Sequence, residues 1–249
     1  MIASLMMYDR PEVAAEHAAY WSLIRAALAR RGIAAPVVLA NDAPVFEVWK
    51  APDLVLSQTC GLPYRMFLAD QVTLVGTPDF GIEGCPPGYY RSTVVVRADD
   101  PRETLADFAD ARLAYNQSHS QSGYGAIHVS ARAAGFRFRD MTESGGHARS
   151  AQMVAGGKAD IAALDPQTWR FICRYDHIAA QLRVLTHTMP TPGLPYITGK
   201  AQDADVIFDA VTEAIEALNP AQRAALDLRG IVRLPQDAYM TLEIPPAPV

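Results

Sequence analysis

Short apolar runs that read as strands alternate with helix-patterned stretches along almost the whole chain. Ile2–Met7 reads as a strand, and Pro11 then opens a helix with Val13, His17, Trp21, Ile24 and Leu28 at helical spacing, closed by Gly32. Val37–Ala40 is strand-like, a helical patch runs through Val45 and Trp49, and Asp53–Ser57 reads as a buried strand. Pro63 starts the next helix, and the strand Val72–Val75 runs into a turn-rich loop, Thr77–Tyr90. The most β-branched run is Ser92–Ala98. After it come a helix near Thr104–Phe108, a strand Arg112–Tyr115, a helix ending at Ala134 and a strand near Phe138–Thr142. The helix His147–Ala155, the strand Asp160–Leu164, a helix from Pro166 through Phe171 and the strand Leu182–Thr186 follow. Pro190, Pro192, Gly193 and Pro195 interrupt the rhythm before two last helices, Asp205–Leu218 and Pro220–Leu228. Short strands alternating with helices predict an α/β protein with mostly parallel sheets covered on both faces.

Two stretches of this pattern rhyme. Lys50-Ala51-Pro52-Asp53-Leu54-Val55-Leu56-Ser57-Gln58-Thr59 and Lys158-Ala159-Asp160-Ile161-Ala162-Ala163-Leu164-Asp165-Pro166-Gln167-Thr168 both run from an aspartate through a short apolar strand to polar residues. The carboxyl ends of strands are where α/β proteins bind ligands, so the rhyme predicts two similar lobes with facing ligand edges. A chain of 249 residues, half of them apolar and a fifth charged, has enough core for this. The formal net charge of −5 comes with no basic run, which argues against nucleic acid as a partner. No apolar stretch reaches the roughly 18 residues that a membrane-spanning helix needs. Cys60 and Cys85 sit in glycine-flanked loops and are open to pairing in an oxidising compartment; Cys173, in an apolar helical stretch, is expected to be buried.

Between the strand Arg112–Tyr115 and the helix that follows, the chain reads Asn116-Gln117-Ser118-His119-Ser120-Gln121-Ser122-Gly123-Tyr124. The first N–H groups of a helix lack intrahelical partners, and the helix dipole adds partial positive charge there. One serine suffices to cap a helix. Three hydroxyls at alternate positions, closed by a glycine, exceed that need and fit an oxyanion such as phosphate, phosphonate, sulfonate or carboxylate.

Together with this loop, Tyr8, Asp53–Gly61, Val75-Gly76-Thr77-Pro78, Gly84-Cys85, Tyr89-Tyr90-Arg91-Ser92, Gly145–Ser150, Val154–Asp165 and Leu194-Pro195 follow one another in an order that resembles the phosphonate/phosphate-type substrate-binding proteins of ABC importers. That resemblance implies the two-lobed type 2 periplasmic binding fold, with residues 1–92 plus 194–249 in one lobe and 93–193 in the other. It implies crossovers at Thr93–Arg97 and Leu185–Thr191 and hinge closure on a small anionic ligand, with an ABC permease as a further partner. By the same resemblance Ser118, Ser120, Ser122 and Gly123 hold the anionic head group. His147, at a predicted helix start, is either a donor to that anion or a loop histidine without a ligand role. Asp165 either meets a donor on the ligand or caps the helix at Pro166. From the other lobe Tyr8, Ser57, Gln58 and Tyr90 are the candidate ligand residues, against buried packing as the plainer reading, and Trp49 is expected in the core.

No His-Glu-x-x-His, CxxC pair, P-loop or Gly-x-Gly-x-x-Gly occurs, so the sequence predicts neither a metal nor a cofactor. An enzyme recruited from the same fold is the alternative function, with Cys60 as its nucleophile. The sequence begins without a signal peptide, which places the chain in the cytoplasm as written, or in the periplasm if a leader has been removed.

Overall fold

The computed structural model describes residues 1–248. The chain divides into two compact units: Met1–Tyr89 with Pro192–Thr241, and Tyr90–Thr191 with residues 242–248. In chain order the strands are β1 (Ile2–Ser4), β2 (Leu54–Gln58), β3 (Val72–Asp79), β4 (Tyr89–Tyr90), β5 (Thr93–Arg97) and β6 (Leu113–Tyr115), then β7 (Met141–Glu143), β8 (Ile161–Leu164), β9 (Leu182–His187), β10 (Thr191–Pro192), β11 (Tyr196–Gly199) and β12 (Gly230–Val232). The helices are α1 (Ala14–Arg30), α2 (Val45–Trp49), α3 (Gly61–Pro63), α4 (Ala126–Ala133), α5 (His147–Ala155), α6 (Pro166–Tyr175), α7 (Ala204–Ala217), α8 (Pro220–Leu226) and α9 (Gln236–Met240).

The first unit's sheet has the order β1-β2-β11-β3-β12. β1 and β2 are parallel, β11 runs antiparallel between β2 and β3, and β12 is antiparallel to β3. The core beside it joins Val48, Trp49, Leu54, Tyr64, Leu68, Val72, Ile197 and Tyr239. Trp49 is buried there as expected, and its indole N–H donates to the Gln58 carbonyl at 3.0 Å.

The second unit's sheet has the order β7-β6-β8-β5-β9. β6 is parallel to β7 and β8, and β5 runs antiparallel to β8 and β9, so β5 alone opposes the common direction. Successive side chains of a strand alternate between faces. Val94 and Val96 therefore pack with Phe108, Leu113, Ile127 and Phe138, while Val95 packs with Ala151, Val154, Leu164 and Ile172. Burial on both faces is why Val94–Val96 is an uninterrupted apolar run.

Each sheet thus takes one reversed strand into its interior, β11 in the first unit and β5 in the second, and each follows a passage of the chain from the other unit. The rhyming strands β2 and β8 occupy equivalent places, each against its unit's reversed strand.

Several expectations need correction. Val37–Ala40 forms no strand; Val37 and Val38 are among the most exposed apolar side chains of the chain. β11 and β12 lie beyond the proline cluster, where no strand was expected. β5 is an interior strand of the second unit, and the passages between units fall at Tyr89/Tyr90, Thr191/Pro192 and Thr241/Leu242. The C-terminal segment packs with the second unit, where Arg132 pairs with Glu243 and the Tyr124 hydroxyl donates to the Pro246 carbonyl at 2.7 Å. Cys173, expected to be buried, is exposed on α6.

Candidate functional site

The serine loop starts a helix. Ser120 is its N-cap: its hydroxyl oxygen accepts from the Gly123 N–H at 3.1 Å, and a wide first turn over Gln121–Gly125 leads directly into α4. Ser120 therefore does the ordinary capping work, while Ser118 is exposed on the turn before it. Ser122 is buried, and its hydroxyl lies 2.9 Å from the His147 Nε2. Asn116, at the end of β6, brings its amide Nδ2 to 3.3 Å from the same nitrogen.

This cluster is tightly fitted. A Cβ on Gly123 would stand 1.9 Å from the Asn116 Oδ1 and 3.0 Å from the His147 Cε1. Glycine is required there for close approach, since its φ is not in the left-handed region. The Asn116 Oδ1 is itself buried and has no hydrogen-bond partner among the described residues. A buried, unsatisfied acceptor is uncommon and costs stability of order 1–3 kcal/mol.

His147 opens α5 behind Gly145 and Gly146. Burial of its ring, only weakly offset by a bond to the Ala163 backbone, pushes its pKa down from 6.5 to about 4. The residue keeps some accessible surface, so the lowering comes from the ring's enclosure by protein atoms rather than from burial of the whole residue. At neutral pH His147 is uncharged.

Asp165 follows β8 and caps the next helix. Its Oδ1 accepts from the Thr168 N–H at 2.9 Å and caps α6, with Pro166 at the first helical position. Its backbone N–H lies 3.4 Å from the His147 Nδ1.

In the first unit, β2 carries the remaining candidates. Gln58 is buried, and its side-chain N–H donates to the Leu194 carbonyl at 3.1 Å, which ties β2 to the chain entering β11. Ser57 and Thr59 are fully buried, and neither hydroxyl has a hydrogen-bond partner among the described residues. Tyr8 packs edge-on against Phe80, with ring centroids 5.0 Å apart. Tyr90 is buried and is the first residue of the second unit.

The structure thus joins Ser120, Ser122, Gly123, His147 and Asp165 into one neighbourhood and leaves Ser118 outside it. Sequence reasoning missed Asn116 and Thr59. Thr59 stands next to Gln58 and Asn116 two residues before Ser118, and an asparagine directly after a strand and before a polar helix start was the available signal for the latter.

A family model described as "ABC transporter, phosphonate, periplasmic substrate-binding protein" matches residues 56–236. The chain belongs to that family. The matched span contains the serine loop, His147 and Asp165 together with most of the first unit's sheet. The structure of PhnD1 from Prochlorococcus marinus in complex with methylphosphonate is similar, with a TM-score of 0.73 and 14% identity over 96% of this chain and 94% of that one. A protein of Xanthomonas citri bound to ATP gives 0.69 and 15%, over 97% and 93%. The binding-protein component of an ABC phosphonate transporter from Pseudomonas aeruginosa gives 0.67 and 15%, over 96% and 82%. At these identities the likeness is one of fold, the periplasmic-binding-protein fold of two sheets flanked by helices. No curated protein matches the chain by sequence. The family is one of periplasmic binding proteins rather than enzymes, and among the described residues no helix is long and apolar enough to cross a membrane.

Proposed function

We propose that the protein binds a small oxyanion ligand, a phosphonate, phosphate or similar compound, in a cleft between its lobes that closes by hinge motion, and delivers it to an ABC permease. The observation that carries this reading is the Asn116–Ser122–His147 cluster at the start of the helix that Ser120 caps. The helix's leading N–H groups would take the anionic oxygens, where the helix dipole favours negative charge, and the Ser122 hydroxyl would touch the same head group. Ser57 and Thr59 of the first unit, hydroxyls buried without partners, are the groups we assign to the rest of the ligand, with Tyr8 and Tyr90 as walls. Asp165 and Gln58 hold the two strand ends in place through their bonds to backbone atoms.

Thermal-shift measurements with phosphate, phosphite, alkylphosphonates, sulfonates and small carboxylates test the proposal. A ligand at about 100 times its dissociation constant raises native stability by about 2.7 kcal/mol. If none of these anions shifts the melting curve while an iodoacetamide-sensitive Cys60 supports turnover, the protein is an enzyme and the proposal is wrong.

A further inference from the structure

The hydrogen-bond pattern around His147 bears on which protonation state of an oxyanion the site accepts. An amide nitrogen such as the Asn116 Nδ2 can only donate. Its position 3.3 Å from the His147 Nε2 makes that ring nitrogen an acceptor, and the Ser122 hydroxyl at 2.9 Å then donates to it as well. In a neutral imidazole the proton consequently sits on Nδ1, and the ring's bond to the Ala163 backbone, which raises its pKa as donation to a carbonyl does, is assigned to that nitrogen. The alternative partner of Nδ1, the Asp165 N–H, is 3.4 Å away, at the outer limit of a hydrogen bond.

With its proton committed to His147, Ser122 turns only lone pairs outward. The Asn116 Oδ1 is a second acceptor, on a residue more than nine-tenths buried, and is without a partner among the described residues. A helix start otherwise lined with N–H donors therefore also holds acceptors. An oxyanion that carries one proton matches this set, since its bare oxygens meet the N–H groups and its O–H donates to Ser122 or Asn116. A fully deprotonated oxyanion sets oxygen against oxygen there.

We propose that the Asn116–Ser122–His147 cluster selects the singly protonated form of a phosphonate or phosphate over both its fully deprotonated form and a sulfonate, which has no proton to give. This inference rests on the oxyanion reading above. The titratable group nearest to this helix end is His119, directly before Ser120, whose partial burial lowers its pKa against the opposing pull of Glu143. Asp165 caps α6, and Glu143 bonds to Tyr115 on β6. On β5 and β9, Arg97 pairs with Asp99, and Arg183 donates to the backbone carbonyls of Asp100 and Arg102. From α6, Arg170 bonds to Gln167 and Arg174 lies over the rings of Phe171 and Tyr175. His177 is exposed, and on α5 itself Arg149 lies against Gly145.

Calorimetric titration of the full chain with methylphosphonate across the ligand's second ionisation is the test, with methanesulfonate as the proton-free control. Affinity should fall about tenfold per pH unit above that ionisation, as linkage requires for a bound proton, and methanesulfonate should bind far more weakly at every pH. His147→Phe, which cannot take the Ser122 proton, should flatten the profile. Nitrogen-15 NMR of the ligand-free protein provides an arm that needs neither ligand nor variant and should show His147 protonated at Nδ1. A flat profile for the native protein, equal affinity for the sulfonate, or an Nε2-protonated ring overturns this inference alone. If no phosphonate or phosphate binds at any pH, the oxyanion reading fails and takes the inference with it.

Discussion

The two rhyming strands end differently, and the difference separates scaffold from site. In the second unit β8 leads into Asp165, whose carboxylate is bound by the first turn of α6, and its neighbour β6 leads into Asn116, whose amide meets His147. In the first unit the end of β2 reads Ser57-Gln58-Thr59: Gln58 donates to the Leu194 carbonyl, but Ser57 and Thr59 are fully buried hydroxyls with no partner among the described residues, and the short helix after them has no side-chain cap. A strand end that has bonded its polar groups internally is rigid before anything arrives. One that leaves them unpaired carries a desolvation cost of order 1–3 kcal/mol per hydroxyl, by analogy with other proteins, and a ligand can offset it. The exception on the rigid side is the Asn116 Oδ1, an unpaired acceptor inside an otherwise bonded cluster.

The largest effect expected from this contrast is on acid stability. His147 is held neutral, with a folded pKa near 4 against 6.5. The unfolded chain therefore takes up the proton first, and stability falls as pH drops from about 6.5 towards 4. The displacement corresponds to about 3 kcal/mol at most. Urea unfolding at several pH values should show this loss in the native protein and a smaller one in His147→Gln; the same loss in both would place its origin elsewhere.

Gly123→Ala comes next. Its methyl group would meet Asn116 at far less than contact distance, and overpacking of this kind costs about 1–3 kcal/mol. Chemical denaturation should report that cost, together with loss of methylphosphonate binding. Native stability and affinity in this variant would show that the cluster is looser than described.

Asp165→Ala removes a helix cap and should cost about 1 kcal/mol, read as a lower urea midpoint. Ser57→Ala and Thr59→Val should act in the opposite sense, leaving stability unchanged or raising it by up to about 1 kcal/mol, while weakening binding if these hydroxyls meet the ligand. A loss of stability in both would mean that the hydroxyls are satisfied in the native protein, and the contrast between the strand ends would disappear.

Much of the fold was legible because β5, β6, β8, α5 and α6 are local patterns: apolar runs buried on both faces, or helices opened by Gly146, Asp165 and Pro166. β11 was not legible. It follows a proline cluster, and what makes Tyr196–Gly199 a strand is its place between β2 and β3, a long-range pairing. Val37–Ala40 failed in the reverse way, since β-branched residues there have no sheet to join and lie exposed. Within the site, Ser122 and His147 could be picked by residue type and position. That Ser120 would be spent on a cap, and that Asn116 would close the cluster, depended on distances that only the folded chain sets.

The central claim is that the Asn116–Ser122–His147 cluster holds the ligand's acidic head. A crystal structure of the methylphosphonate complex tests it most directly. The account predicts phosphonate oxygens within hydrogen-bond distance of the Ser122 hydroxyl and of the first N–H groups of the helix. A phosphonate bound elsewhere, with the Ser122–His147 bond and its surroundings unchanged, would contradict it.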